Sequence, residues 1–510
     1  AGIDALFFGI HPMRVESVAW VTERKDVLYG AFYFAAIFTY LKYLFSNKKR
    51  TGYLVVTLVL FGLSLLSKIQ AVALPLSLLA IDYWLKRDLN FQRIIEKLPF
   101  FLGSLIVGLV GIFFLSQEGS LEQATDYTFG ERLLVGGYSY VIYLLKFVFP
   151  YEMSPLYPYP STIGTNFYLG TALLLPIVVG LFYAHKKGYR VLLFGFAFFT
   201  FNVMFMLQIL GAGQAFIADR FTYVPYFGLF FIIGYYFQQI PSHKATLQKA
   251  ATIGLGAYLL IFGVMTWQQN KIWKNGETLW THVLKYYQNI DTPYSNRAQF
   301  YRDQGNVQLA IADYTKAIEV QPDKGNTYNS RGKTYFDLGT AQNDQNLVQK
   351  AIADYTKGIE MSPELGELYA NRGAAFGYQG KMQEALIDLN QAVALEPDKI
   401  GGYANRSLLH MQLGNHELAI QDHTAYLQLN PYDAEVWYER GVAKSNLGQH
   451  QAAIEDYNRA LTLDHQRGIF FMQRALAYKN VGNKTQAVAD LRTAQQFGAA
   501  VPAAYWKGLQ

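Results

Sequence analysis

The chain has 510 residues, of which 51% are hydrophobic and only 16% are charged, whereas charged residues make up about a quarter of a soluble domain. Residues 1–270 hold 20 Lys and Arg against 13 Asp and Glu, while residues 271–510 hold 24 against 25, so a single soluble globule is excluded. The absence of cysteine excludes disulfides, thiolate nucleophiles and cysteine-ligated metal sites. The excess positive charge lies in short loops between apolar runs, which indicates membrane topology and no nucleic-acid groove.

The chain begins at Ala1 within an apolar run shorter than the roughly 20 residues that a membrane span needs. A signal peptide would need a basic start and a cleavage site, and neither is present here. We therefore expect a fragment that lacks its first membrane segments and is inactive by itself.

Apolar stretches then recur through residues 1–270 and predict a polytopic bundle of membrane helices. They lie at 27–45, 52–67, 71–85, 98–116, 132–149, 167–184, 191–211, 221–240 and 250–267.

The orientation of this bundle depends on the stretch 132–149, which contains Arg132 and Lys146. If it lies in the plane of the outer interface, the inner loops hold 12 Lys and Arg against 2 Asp and Glu, and the outer loops hold 7 against 9. If it spans, two basic loops (185–190 and 241–249) move outside, against the positive-inside rule. We therefore predict that 132–149 lies in plane. Residues 271–510 would then lie outside the cytosol, in the periplasm of a bacterium or the endoplasmic reticulum lumen of a eukaryote.

A pattern with a period of 34 residues, the tetratricopeptide length, begins at Asp291. Six repeats over 291–500 predict an α-solenoid, preceded by a connecting helix at 271–290 and followed by a cap at 501–510. The second repeat contains a seven-residue insertion around TAQNDQN. The concave surface varies between repeats, which suits the binding of a polypeptide. It includes Lys333, Phe336, Tyr438 and Met472.

An arginine and an aspartate recur in every repeat. They could form a charged binding stripe or a ladder of ion pairs between the two helices of each repeat, and we favour the ladder, because each unit shares the same interface. The arginines are Arg297, Arg331, Arg372, Arg406, Arg440 and Arg474, and the aspartates are Asp313, Asp354, Asp388, Asp422, Asp456 and Asp490.

Three segments on the predicted outer side hold polar residues that are expensive beside a bilayer. The first is HPMRVESVAWVTERKD at 11–26, which is either a functional segment, where His11-Pro12 fixes a turn that aims Glu16 at the membrane surface, or a solvated loop with surface ion pairs. The second contains Lys68 at the tip of a hairpin, either as a functional cation or as a snorkelling lysine. The third places Asp219 and Arg220 at the start of a span, where an arginine on the outer side favours a bound anion.

These segments predict an outward-facing membrane cavity with cations and carboxylates at its rim. Cations bind phosphate, a carboxylate can act as a general base, and apolar walls admit a lipid tail. The inventory fits transfer of a group from a lipid phosphate. Motifs for nucleotide hydrolysis, zinc proteolysis or dinucleotide binding do not occur in their required contexts.

The order of these segments, followed by tetratricopeptide repeats, resembles the transmembrane and tetratricopeptide-repeat O-mannosyltransferases, which have the GT-C fold. The resemblance implies transfer of a sugar, mannose in the animal members, from a polyprenyl-phosphate donor to Ser or Thr of a protein on the non-cytosolic face. The absence of cysteine and the repeat sequences indicate a bacterial member. Metal dependence is left open, and no metal ligand is assigned.

The resemblance also implies roles for individual residues. Glu16 falls on an HP-x-x-x-E motif, and Arg220 on an A-[DE]-R-x-x-Y-x-P motif with Asp219 and Tyr223. Lys68 matches an SK-E pattern in which the acid is missing.

Within the resemblance, the main catalytic acid would precede Ala1. Our mechanistic hypothesis is an inverting displacement in which Arg220, with Lys68 or Arg24, stabilises the departing lipid phosphate. Glu16 would orient the donor or a metal.

Two other function classes stay open. A non-catalytic scaffold would use the membrane half only to anchor a peptide-binding solenoid. A GT-C enzyme that acts on a glycan or a lipid would use the repeats to recruit partners.

Overall fold

The protein is described here by a computed structural model, which covers residues 2–46, 50–88, 90–117, 127–160, 162–209, 215–241 and 243–509. The chain divides into two compact units, Ala1–Gln288 and Asn289–Gln510. Within the described residues both units are built from α-helices and short 3₁₀ turns, with one isolated β-bridge between Pro158 and Ala215 and no strand. The predicted all-α class is confirmed.

The first unit contains thirteen helices in the described ranges. They are α1 (Gly2–Ile10), α2 (Val15–Ala19), α3 (Lys25–Phe45), α4 (Arg50–Ser67), α5 (Leu74–Trp84), α6 (Phe91–Gln117), α7 (Phe129–Val148), α8 (Thr165–Ala172), α9 (Leu174–Lys186), α10 (Arg190–Val203), α11 (Tyr226–Gln238), α12 (Ala245–Ile272) and α13 (Gly276–Leu284).

Four helical segments among the described residues are long and apolar enough to cross a membrane: Val21–Phe45, Phe91–Gln117, Thr165–Lys186 and Ala245–Ile272. Four shorter apolar helices accompany them, at Thr51–Ser67, Ile69–Trp84, Arg190–Met206 and Tyr226–Gln238. The in-plane position predicted for 132–149 stays a prediction. This stretch forms α7, whose start is fixed by a capping box between Thr128 and Glu131.

The segment 11–26 is folded and is not an open loop. His11 caps a 3₁₀ turn at Pro12–Arg14, α2 follows, and a second 3₁₀ turn at Val21–Arg24 leads into α3. The alternative of a solvated loop is wrong for its first half, because the side chains from His11 to Ser17 are buried.

Helix α3 approaches the turn before α11 closely at one glycine. A Cβ atom on Gly30 would lie 2.8 Å from Cε1 of Tyr223, closer than real Cβ atoms come to their neighbours. The missing side chain at Gly30 therefore lets the Tyr223 ring pack against α3.

The second unit is a series of helix pairs. They are α14 (Thr292–Asp303) with α15 (Val307–Val320), α16 (Gly325–Gln342) with α17 (Gln345–Met361), α18 (Gly366–Tyr378) with α19 (Met382–Leu395), α20 (Ile400–Gln412) with α21 (His416–Leu429), α22 (Ala434–Asn446) with α23 (His450–Leu463), and α24 (Gly468–Asn480) with α25 (Lys484–Gln496), followed by the short α26 (Ala503–Trp506). The seven-residue insertion lengthens both helices of the second pair, and Asn343 makes the turn between them with a φ of 54°.

The predicted ladder is confirmed in all six repeats. In the third repeat, Nε and Nη2 of Arg372 donate to the two carboxylate oxygens of Asp388 over 2.7 and 2.9 Å. Nη1 donates to Thr356 of the preceding repeat over 3.1 Å. From the second repeat onward each arginine makes this third bond, to Thr315, Thr356, Asn390, Thr424 and Asn458 in turn. The ladder thus joins the helices within a repeat and joins each repeat to the one before it.

Candidate functional site

Glu16 and Arg220, 204 residues apart, form the centre of a buried ion-pair cluster. The carboxylate of Glu16 accepts from the backbone N–H of Arg220 over 2.8 Å and pairs with its guanidinium. This geometry follows from the two 3₁₀ turns at Pro12–Arg14 and Asp219–Thr222, which contact each other. The structure therefore brings together the first and third of the predicted polar segments.

The second predicted segment joins the same cluster through Glu23. The Nζ atom of Lys68 lies 2.9 Å from Oε2 of Glu23 and also pairs with Asp26, while Nε of Arg220 lies 3.8 Å from Oε1 of Glu23. Asp26 accepts a further hydrogen bond from Ser17 over 3.0 Å. The alternative of a snorkelling Lys68 is wrong, because its side chain is 9% exposed and is paired with two carboxylates.

Arg24 lies outside this cluster, although the sequence suggested it as a phosphate ligand. Glu23 in the 3₁₀ turn and Asp26 at the start of α3 are three residues apart and both face inward, and Arg24, which follows Glu23, faces outward. The Arg24 side chain is exposed and is in no ion pair within the described ranges.

Asp219, the residue before Arg220, is held by a second set of buried groups. The hydroxyl of Tyr157 donates to Oδ1 of Asp219 over 2.6 Å, and the Lys146 ammonium lies 2.6 Å from that hydroxyl and 3.6 Å from Oδ1. Burial raises the pKa of Asp219, while Lys146 and the Tyr157 hydroxyl oppose the rise. Sequence reasoning missed Tyr157 and noted Lys146 only as an obstacle to a span. A lysine inside an apolar stretch was the available signal.

His11 and Tyr223 have packing roles in this structure. Nε2 of His11 lies 3.1 Å from the carbonyl of Phe147, and burial lowers the pKa of its imidazole to about 3, so the ring is neutral. Tyr223 contributes to an aromatic cage around the guanidinium of Arg14, whose carbon lies 4.6 Å from the centre of the Phe8 ring and 5.2 Å from that of Tyr223. Arg14 is 4% exposed, and its guanidinium makes no hydrogen bond to the described residues.

The carboxyl of Glu16 has a strongly raised pKa within the cluster. Burial raises the pKa of its carboxyl to about 7, an effect that Arg220 opposes and Asp219 reinforces. Lys25, which pairs with Glu23 over 3.5 Å, has 48% of its side chain exposed, Arg220 has 19% and Lys68 has 9%. The guanidinium carbon of Arg220 lies 5.2 Å from the centre of the Trp20 ring. An anion arriving at the cluster would therefore meet Lys25 and Arg220 before Lys68.

A separate ion-pair network joins α3, α5 and α6, and sequence reasoning missed it. Lys97 and Asp82 are both fully buried and lie 2.6 Å apart. Arg87 pairs with Asp82 over 2.9 Å and with Glu96 over 3.3 Å, and Tyr40 donates to Asp82 over 2.7 Å. These charges neutralise one another within the network.

The described residues contain no group of three or more His, Asp or Glu side chains arranged to hold a metal ion. The candidate cluster alternates carboxylates with cations, and this arrangement suits an anion that competes with the carboxylates for Arg220 and Lys68.

Comparisons with known proteins identify the repeats. Family models described as "Tetratricopeptide repeat" match residues 366–399 and 434–467, and one described as "TPR repeat" matches residues 298–339. A solved structure titled "Crystal structure of YrrB: a TPR protein with an unusual peptide-binding site" is 19% identical and covers 36% of this chain and 92% of its own, with a TM-score of 0.32.

Two curated relatives carry the name "Protein O-mannosyl-transferase TMTC3". The protein of Mus musculus is 27% identical over 126 residues, which is 25% of this chain and 14% of that relative. The protein of Homo sapiens is 28% identical over 122 residues, which is 24% of this chain and 13% of that relative. The chain contains tetratricopeptide repeats and membrane-type helices, and it is similar to these O-mannosyl-transferases over about a quarter of its length.

Proposed function

We propose that the protein is a membrane glycosyltransferase of GT-C type. It moves a sugar from a polyprenyl-phosphate donor to a Ser or Thr hydroxyl of a protein on the non-cytosolic face of the membrane. The repeats bind the acceptor polypeptide. Mannose is the sugar expected from the relatives named above.

The observation that carries this proposal is the ion-pair cluster of Glu16, Glu23, Asp26, Lys68 and Arg220. Three sequence segments supply it, and it adjoins apolar helices that suit a lipid substrate. Burying several charges costs stability unless the pairing is excellent, and hydrophobic residues can replace such pairs at little cost. A cluster of this size beside a membrane is therefore better explained by an anionic substrate than by stability.

The reaction is a displacement at the anomeric carbon of the sugar. The acceptor oxygen forms the new glycosidic bond while its proton passes to a carboxylate. The bond between the anomeric carbon and the phosphate oxygen breaks, and its electron pair leaves with the lipid phosphate. Arg220 and Lys68 stabilise the charge on that phosphate, and fixed donors of this kind contribute most where charge develops.

In this mechanism Glu16 holds Arg220 in place before the donor arrives. It accepts from both the backbone and the side chain of Arg220, so it fixes the direction of the guanidinium. The donor phosphate would displace Glu16 or Glu23 from the guanidinium. The displaced Glu16 can take a proton near neutral pH, because burial raises its pKa to about 7.

The test is a transfer assay on the complete gene product in membranes, with labelled polyprenyl-phosphate mannose and a mixture of periplasmic or lumenal proteins. Arg220→Ala should lower transfer at saturating donor by about 100-fold or more, the usual cost of removing one donor to a developing anion. Arg132→Ala, which removes an arginine at the start of α7 outside the cluster, is the matched control and should leave transfer unchanged.

The outcomes separate the function classes. Label in protein with the wild type and with Arg132→Ala, but not with Arg220→Ala, supports the enzyme and its phosphate site. Equal transfer by Arg220→Ala contradicts the phosphate assignment. Label in a lipid or glycan fraction favours a different acceptor, and no transfer from any of a panel of lipid-linked sugars favours the scaffold.

A further inference from the structure

The fifth repeat differs from the others at the residue just before the ladder arginine. The other repeats carry an uncharged polar residue there: Asn296, Ser330, Asn371, Asn405 and Gln473. In the third repeat the amide of Asn371 donates to Asn329 over 2.8 Å, and in the fourth the amide of Asn405 donates to the carbonyl of Ala370 over 3.2 Å. Both bonds reach back to the first helix of the preceding repeat. In the fifth repeat this position is occupied by Glu439, whose side chain has no N–H group to donate.

Among the residues that the structure describes, no cation neutralises Glu439. The charged groups that act on its carboxyl are Glu435 and Asp433, and together with burial, the largest cause, they raise its pKa to about 7. The adjacent Arg440 is engaged by Asp456 over 2.7 Å. A positively charged group bound beside Glu439 would stabilise its ionised carboxylate.

The closest basic side chain is a histidine that stays neutral. Nδ1 of His423 lies 3.9 Å from Oε2 of Glu439. His423 is 1% exposed, its Nε2 has no hydrogen-bond partner among the described residues, and burial lowers its pKa to about 4. The ring presents Nδ1 to Glu439 at a distance too long for a hydrogen bond and stays neutral, so His423 supplies no positive charge to this carboxylate.

A cleft lies at the start of α22, the helix that carries Glu439. The cleft has a volume of about 330 Å³, and its acidic lining residues are Asp433, Glu435 and Asp464. Arg467 partly neutralises them through Glu435 over 3.1 Å and Asp464 over 3.3 Å. Glu435 and Glu439 are four residues apart on α22 and therefore share one face. On the same helix Tyr438 stacks on Phe470 with the ring centres 4.8 Å apart.

We propose that this acidic face, made of Asp433, Glu435, Tyr438 and Glu439, binds a Lys or Arg side chain of an extended polypeptide. The cation would pair with Glu439 and lie against the Tyr438 ring, and both contacts favour a positively charged group. The inference rests on the proposed binding of a polypeptide by the repeats and adds its chemistry. The solenoid selects a segment with a basic residue at the fifth repeat.

The test is a selection of random nonapeptides displayed on phage by the full-length protein in nanodiscs. Lys and Arg should be enriched at least about 5-fold at one position of the selected peptides, about 1 kcal/mol of preference. Glu439→Asn should abolish the enrichment. It should also keep the fold, because asparagine stands at the same position of the third and fourth repeats and can donate to the preceding helix. Glu417→Gln, which removes an exposed carboxylate of α21, is the matched control and should keep the enrichment.

Each outcome decides one statement. Peptides selected without a basic preference, or with the same preference in Glu439→Asn, overturn the inference and leave polypeptide binding by the repeats intact. If no peptide is selected at all, the proposed binding of a polypeptide by the repeats fails as well. Loss of the preference in Glu417→Gln as well would show a general charge effect and would also overturn the inference.

Discussion

The two units use buried ion pairs in opposite ways. In the repeats one geometry recurs: an arginine binds an aspartate through two parallel hydrogen bonds, and the partners are 16 residues apart in five repeats and 23 in the one with the insertion. In the membrane unit the pairs of Glu16, Glu23, Asp26, Lys68 and Arg220 occur once, with different geometries and with partners up to 204 residues apart. A repeated pair indicates an interface that every unit shares, whereas a unique cluster indicates a specific task.

The comparison also separates satisfied charges from strained ones. Each ladder aspartate receives two hydrogen bonds from one arginine, and the pair is complete. Glu16 is different, because burial raises its pKa to about 7 in spite of its contacts with Arg220. A perturbed carboxyl in a cluster with accessible cations is a common sign of a functional site. The predictions below test whether this contrast holds when charges are removed.

The largest effect on stability should come from Lys68→Met. Asp26 is fully buried and Lys68 is its paired cation, so the substitution leaves a buried carboxylate with only the Ser17 hydroxyl as partner. We expect a loss of about 3–5 kcal/mol in the free energy of unfolding. Thermal unfolding in detergent, followed by limited proteolysis to identify the unit that opens, measures it. A double variant with Asp26→Leu should recover most of the loss, and a failure to recover would contradict the pairing.

A ladder pair should matter less, because its arginine is partly solvated. Arg372→Met leaves the carboxylate of Asp388 without its main partner, but the arginine side chain is already 18% exposed. We expect a loss of about 2–3 kcal/mol in repeat stability and no change in transfer measured at saturating donor and acceptor. Chemical denaturation of the full chain and the transfer assay together measure both quantities. A large loss of transfer without loss of stability would instead favour the charged binding stripe.

Much of the fold could be predicted from the sequence, because its patterns are periodic. A 34-residue period, with a small residue where the paired helices approach and an alanine in the second helix, determines the solenoid. Apolar stretches of fixed length likewise predict the membrane-type helices. The orientation of the bundle depends on counted loop charges and stays a prediction.

The candidate site was only half predictable. The polar segments that contain Glu16, Lys68 and Arg220 stand out because charges are expensive near a bilayer, and the structure brings all three together. The role of Glu23 as the link between the two cations depends on which face of a short 3₁₀ turn is buried. A short turn has no periodic pattern of apolar residues that would show its buried face. For this reason the sequence predicted Arg24, and not Glu23, as part of the site.

The turns between the paired helices offer a smaller test within the repeats. Five repeats place a glycine there with φ between 73° and 84°, for example Gly448, whereas the second repeat uses Asn343 with φ 54°. Gly448→Ala should cost about 1 kcal/mol, because a Cβ atom disfavours the left-handed region, and Gly448→Asn should cost less. Denaturation midpoints of the two variants measure the difference. Equal costs would show that the left-handed backbone is not the cause.

An effect of similar size that depends on pH concerns Glu439, a partly buried carboxyl that has no arginine partner of the kind each ladder aspartate has. Its pKa rises from 4.5 to about 7 on folding, so the folded chain binds the proton more tightly than the unfolded chain does. The stability that this carboxyl contributes is therefore fully present below pH 4.5 and is lost as the pH rises to 7.

The substitution Glu439→Gln removes this dependence on pH, because glutamine does not titrate. The variant should be more stable than the wild type by about 1 kcal/mol at pH 8, a value reduced for the partial exposure of the side chain, and the difference should disappear as the pH falls below about 4.5. Unfolding of both proteins at pH values from below 4.5 up to 8 measures it. A stability difference that stays constant with pH would show that packing causes it. It would then contradict the raised pKa of Glu439, the feature that distinguishes this repeat from its neighbours.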